Sequence, residues 1–167
     1  MPDSRFIDAA LTTLKQIEEL VYPSAVVLPG FRRSIQLDGY SCGAKSVYTV
    51  LRYFGKRCTV QSVERQLKTD EDGTWNKDVY RVLKERKLRY KVNTHAGLRD
   101  LYRGIKEDRP VIVSLYEGKH FSVVYGFSRN HIFVMDPLIE SVADLFCAVP
   151  KSKFREIWDR WGVVVYK

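Results

Sequence analysis

The sequence predicts an α+β fold in which an antiparallel sheet packs on a helical half. Three observations predict it. Apolar residues recur at helical spacing through the first two thirds of the chain. After Arg109-Pro110 the pattern changes to β-branched runs. Those runs are separated by short turns, Glu117-Gly118 and Ser128-Arg129-Asn130. A length of 167 residues suits one domain with a proper core, and the 45% apolar fraction is that of a globular protein.

Taken in order, Phe6, Ala9, Ala10, Leu14, Ile17, Leu20 and Val21 mark an amphipathic helix over residues 5–21. Asp3 or Ser4 could cap it. Pro23 and Pro29-Gly30 end it. A second helix begins near Cys42, with Ala44, Val47, Val50, Leu51 and Phe54 on one face, and Gly55 stops it. Thr59 caps a helix carrying Val60, Val63 and Leu67. Asn76 caps the next, with Val79, Tyr80, Val82 and Leu83. Leu88–Val92 alternates as a strand, and Gly97–Glu107 is helical. Strands follow at Val111–Tyr116, Lys119–Phe127 and His131–Asp136. A helix over Ser152–Trp161 and a closing strand over Gly162–Tyr166 complete the pattern.

The net charge of +8 comes from 28 basic and 20 acidic residues. The densest basic group is Arg81, Lys84, Arg86, Lys87, Arg89 and Lys91. No nucleic-acid motif accompanies it, so it reads as a solvated face and no nucleic-acid partner is expected. No run is long enough to span a membrane, and the N-terminus lacks the pattern of a secretory signal. Cys42, Cys58 and Cys147 are too few for a disulfide framework and point to reduced thiols in the cytoplasm. Ligand spacings such as CxxC or HxxxH are absent, so neither a metal nor another cofactor is expected.

Gln36-Leu37-Asp38-Gly39-Tyr40-Ser41-Cys42-Gly43-Ala44 is the stretch that suggests chemistry. It is turn-prone and runs straight into a helix. Cys42 therefore sits at a first turn, where free backbone N–H groups and the positive dipole end favour a thiolate. A nucleophilic cysteine needs a base and a group to hold it. Of His95, His120 and His131, hairpin arithmetic favours His120. If Phe127 pairs with His131, Ser122 faces Asp136, and Asp136 lies diagonally from His120 on one face. Singly, each residue has a bland reading. A buried Cys is a small hydrophobe, a strand His is structural, and an Asp before Pro forms a turn. Their coincidence points to a nucleophile with a base.

Gln36-x5-Cys42-Gly43-Ala44, the helix ending Tyr53-Phe54-Gly55, Lys119–Gly126 and Val134-Met135-Asp136-Pro137 together resemble the bacteriocin-processing, double-glycine peptidases. That family is a branch of the papain-like cysteine peptidases. The tail with Phe154, Trp158 and Gly162 is similar to its closing helix and strand. The resemblance covers about Phe31 to Lys167, leaving residues 1–30 as an N-terminal helical extension to a peptidase domain over 31–167. It implies a papain-like fold, with Cys42 as nucleophile, His120 as base and Asp136 as its orienting acid. It also implies that Gln36 joins the backbone N–H of Cys42 in an oxyanion hole. The implied partner is a peptide or protein, cut through a thioester at a glycine-containing site. Two other readings use the same residues: a glutamine deamidase or transglutaminase-like effector, and an idle domain that only binds peptides.

Overall fold

The computed structural model describes residues 21–34, 39–135 and 148–167. The helix expected over 5–21 lies, but for its last residue, outside them. Five helices are described: α1 (Cys42–Tyr53), α2 (Val60–Leu67), α3 (Asn76–Glu85), α4 (Leu98–Lys106) and α5 (Lys151–Ile157). The strands are β1 (Val26–Val27), β2 (Arg89–Asn93), β3 (Val111–Leu115), β4 (His120–Phe127), β5 (His131–Met135), β6 (Ala148–Pro150) and β7 (Trp158–Tyr166). They form one sheet in the order β2-β7-β3-β4-β5-β6, with β1 also paired to β4, and every pairing is antiparallel.

Helix α1 forms because Ala44, Val47, Val50 and Leu51 line one stripe, and all four are fully buried. That stripe packs on the sheet at β4. Strand β4 is central, and six of its eight residues are buried, so both of its faces are covered. Phe31 ties helix to strand: its ring stacks on Tyr125 at 5.0 Å and lies 5.9 Å from Tyr53. Helix α2 starts on a reciprocal cap in which Ser62 N–H donates to Thr59 Oγ1 and Thr59 N–H donates to Ser62 Oγ. Helix α4 starts where Gly97 N–H donates to Asp100 Oδ2 at 2.8 Å.

Three expectations are corrected. The expected Ser152–Trp161 helix stops at Ile157, and Trp158 already belongs to β7. The cause is tertiary: Trp158 pairs with Leu115, and its indole N–H donates to the Trp161 carbonyl. Second, Trp75 rather than Asn76 holds the N-cap position of α3. Third, Phe127 pairs with Ile132 rather than His131. A register shift between Val124 and Gly126 then brings Val123 opposite Met135, the register that the hairpin argument needed farther along. The Ser122 hydroxyl donates to the Met135 carbonyl across this pair. Strands β1 and β6 leave no signal in the sequence, because two or three residues carry no readable period.

Gly126 sits where β1 crosses β4. A Cβ there would lie 2.5 Å from Val27 Cγ1, 2.8 Å from Phe133 Cδ2 and 2.9 Å from the Val26 carbonyl oxygen. Gly126→Ala is therefore expected to destabilise the fold by about 1–3 kcal/mol. Thermal unfolding should register a drop of roughly 2–4 °C for each kcal/mol; an unchanged Tm would show that β1 yields freely.

Candidate active site

The first residue of α1 and the first residue of β4 meet. Cys42 opens the helix, and only 8% of its surface is exposed. No acidic side chain occupies the first turn, so nothing there offsets the positive end of the dipole. His120 opens β4 opposite Leu115, and its ring hydrogen-bonds the Cys42 sulfur. The backbone N–H groups of Phe121 and Gly43 also reach the sulfur.

These contacts decide its ionisation. Burial alone pushes the Cys42 thiol up. The His120 hydrogen bond, the Phe121 N–H, the His120 charge and the Gly43 N–H outweigh it, and the thiol ends below its ordinary value of 9.0. Cys58 shows the contrast. Burial pushes it up, and the charges of Arg86 and Arg52 do not compensate. The two thiols are thus set apart by their neighbours, and Cys42 is the one that ionises more readily.

Gly43 contributes its N–H and also its lack of a side chain. A Cβ there would lie 2.5 Å from Thr74 Cβ. Thr74 is held by a 2.8 Å contact between its hydroxyl and that of Thr69. The loop before α3 can therefore close on the start of α1. Trp75, the next residue, is 63% exposed, and Tyr40, two residues before Cys42, is also exposed. On the base side, the Tyr116 ring lies 6.3 Å from that of His120 and is 48% exposed. Accessible aromatic rings thus stand close in sequence or space to Cys42 and to His120.

Of the four residues singled out from the sequence, Cys42 and His120 are brought together. Gln36 and Asp136 lie outside the described residues. Of the other histidines, His95 is exposed in the loop after β2, where its Nδ1 contacts the Thr94 hydroxyl. His131 opens β5 and packs edge-on against Tyr22. The backbone donors from Phe121 and Gly43 had no sequence signal, because any residue carries an N–H. Among the described residues, no cluster of His, Cys, Asp or Glu could hold a metal, and no helix is long and apolar enough to cross a membrane.

The sequence matches the Peptidase C39 family over residues 32–167. The chain belongs to the peptidase C39 family. This C39 chain is accordingly a hydrolase, a cysteine peptidase of the papain-like superfamily. Solved structures share its fold. A C39-like peptidase from Bacillus anthracis superposes with a TM-score of 0.72 at 16% identity, covering 86% of this chain and 98% of that one. The peptidase domain of Streptococcus ComA, a bifunctional ABC transporter of a quorum-sensing pathway, gives 0.69 at 18% identity, covering 81% and 98%. A double-glycine-motif protease from an AMS/PCAT transporter, solved with its leader peptide, gives 0.66 at 22% identity, covering 79% and 88%. An uncharacterized protein of Methanothermobacter thermautotrophicus is 25% identical over 105 residues, 63% of this chain and 70% of that protein.

Iodoacetamide labelling read by mass spectrometry checks the sulfur. Between about pH 5 and about pH 10, Cys42 should gain reactivity at a lower pH than Cys58, which should gain it only above 9.0. His120→Ala removes the partner and leaves much of the burial, so the Cys42 profile should move up. A profile that His120→Ala does not move would contradict the pairing.

Proposed function

We propose that this C39 peptidase cuts a peptide chain at a glycine-containing site through a thioester on Cys42. The observation that carries the reading is the hydrogen bond between the His120 ring and the sulfur at the start of α1. The Cys42 thiolate attacks the scissile carbonyl carbon and forms a C–S bond. Negative charge moves onto the carbonyl oxygen, where the side-chain N–H of Gln36 and the backbone N–H of Cys42 receive it. The tetrahedral species collapses, the C–N bond breaks, and His120 as imidazolium gives its proton to the leaving amine. Water then attacks the thioester, with His120 as base, and the acid product leaves. Asp136 accepts from the second imidazole nitrogen, which fixes the tautomer and aims the ring.

A peptide substrate is supported by the exposed Tyr40, Trp75 and Tyr116 beside the reacting pair, since aromatic faces bind extended chains at small entropic cost. The double-glycine protease that shares the fold was captured with a leader peptide, which supports the same class of substrate here. The mechanism needs a reduced thiol, which suits a reducing compartment such as the cytoplasm.

Incubation with synthetic peptides that contain a Gly-Gly pair, followed by mass spectrometry, tests the proposal. Cleavage after glycine is expected, and Cys42→Ala should abolish it. Gln36→Ala should lower kcat by about a hundred- to a thousandfold with the fold intact. A mass gain of about one dalton in an unbroken chain would assign a deamidase instead. Full biological effect from Cys42→Ala would assign a binding domain.

A further inference from the structure

The hairpin turn that carries His120 is held from outside. Strand β3 pairs Val111, Ile112 and Val113 with Val164, Val163 and Gly162 of β7, and then Leu115 pairs with Trp158. Three residues, Asp159, Arg160 and Trp161, thus stand opposite Ser114 alone. Arg160 is left-handed, at φ 59°. A bulge of this kind re-aims a side chain, and this one delivers the Asp159 carboxylate to the β3–β4 turn. Its Oδ2 accepts from the Ser114 hydroxyl at 2.6 Å and from the Gly118 N–H at 2.8 Å. Its Oδ1 accepts from the Glu117 N–H at 2.9 Å.

The turn needs such support. Tyr116, Glu117 and Gly118 are left-handed in succession, at φ 56°, 60° and 82°, and two of them carry a Cβ. Backbone of this kind persists only where its surroundings over-determine it. The turn's own Lys119 N–H to Tyr116 carbonyl bond is 3.3 Å long, weaker than the charge-assisted bonds to Asp159. Tyr116 N–H is also held from the β7 side, by the Ile157 carbonyl at 2.8 Å. His120 follows Gly118 by two residues.

We propose that Asp159 is a positioning residue for His120: by fastening this strained turn it keeps the imidazole in register with the Cys42 sulfur. The inference rests on reading Cys42 and His120 as the reacting pair. The nearby charges do not replace it. Glu117 and Lys119 form an exposed pair at 4.0 Å, and the Arg160 guanidinium donates away from the turn, to the Ala96 and His95 carbonyls.

Asp159→Asn tests this, because it keeps the shape but turns an NH2 toward groups that donate. The readout is the pH profile of Cys42 alkylation by iodoacetamide, for wild type, His120→Ala and Asp159→Asn, with thermal unfolding measured in parallel. Asp159→Asn should move the Cys42 profile up by about one pH unit, roughly a tenfold slower reaction below neutrality. A profile that superposes on wild type, with or without a fall in Tm, overturns the proposal. If Asp159→Asn does not fold, Ser114→Ala removes one partner and spares both turn amides. A smaller shift in the same direction supports the proposal, and no shift overturns it. Wild type and His120→Ala sharing one profile would sink the Cys42–His120 pairing and the proposal together. A clear difference between those two with a silent Asp159→Asn would sink the proposal alone.

Discussion

The molecule depends on one electrostatic compromise, the lowered pKa of a sulfur that is almost entirely buried. Leaving water penalises the charge. A helix start alone offsets part of that penalty, since its effect fades within a turn. The remainder comes from β4, which supplies an imidazole and the N–H of Phe121. Neither element suffices by itself. The apolar stripe of α1 has to seat on the sheet so that two chain segments nearly eighty residues apart meet within hydrogen-bond reach.

Packing explains why they meet. Val47, Val50 and Leu51 leave α1 little freedom to slide, because close-packed interiors resist displacement. Gly43 lets the Thr74 loop close over the helix start. On the sheet side, β4 is bonded to β3 over His120–Val124, to β5 over Val123–Phe127 and to β1 at Gly126 and Phe127. His120 therefore rides on the end of a strand paired there to β3, and the turn before it is fixed to β7. Preorganisation of this kind matters because a small misplacement of a reacting group costs a large factor in rate.

Much of this was legible in the sequence. The helix at Cys42 was readable because its apolar residues repeat cleanly and a glycine ends it. His120 stood out because hairpin spacing is set by short turns. The closing segment was misread for a physical reason: Phe154, Ile157, Trp158 and Trp161 repeat at helical intervals, yet Trp158 and Trp161 are claimed by sheet pairing. That misreading also hid Asp159, which looks like an ordinary surface acid on a helix and serves its turn only because the strand bulges. Register was half legible. The count from Phe127 and His131 missed the pairing at the turn, and Val123 faces Met135 only because a bulge that no residue pattern announces offsets that miss.

The position of β2 gives the basic cluster a different meaning. It is the outermost strand on its side, with no described strand beyond it, and such a border invites another polypeptide to add itself. Arg89 and Lys91 are exposed on that strand, with the Arg89 guanidinium lying over the Tyr166 ring of β7. Arg81 is already matched by Asp78 and Glu85 on its own helix. The cationic surplus thus gathers where neighbouring molecules would otherwise zip together, and mutual repulsion keeps each copy from becoming a template for the next.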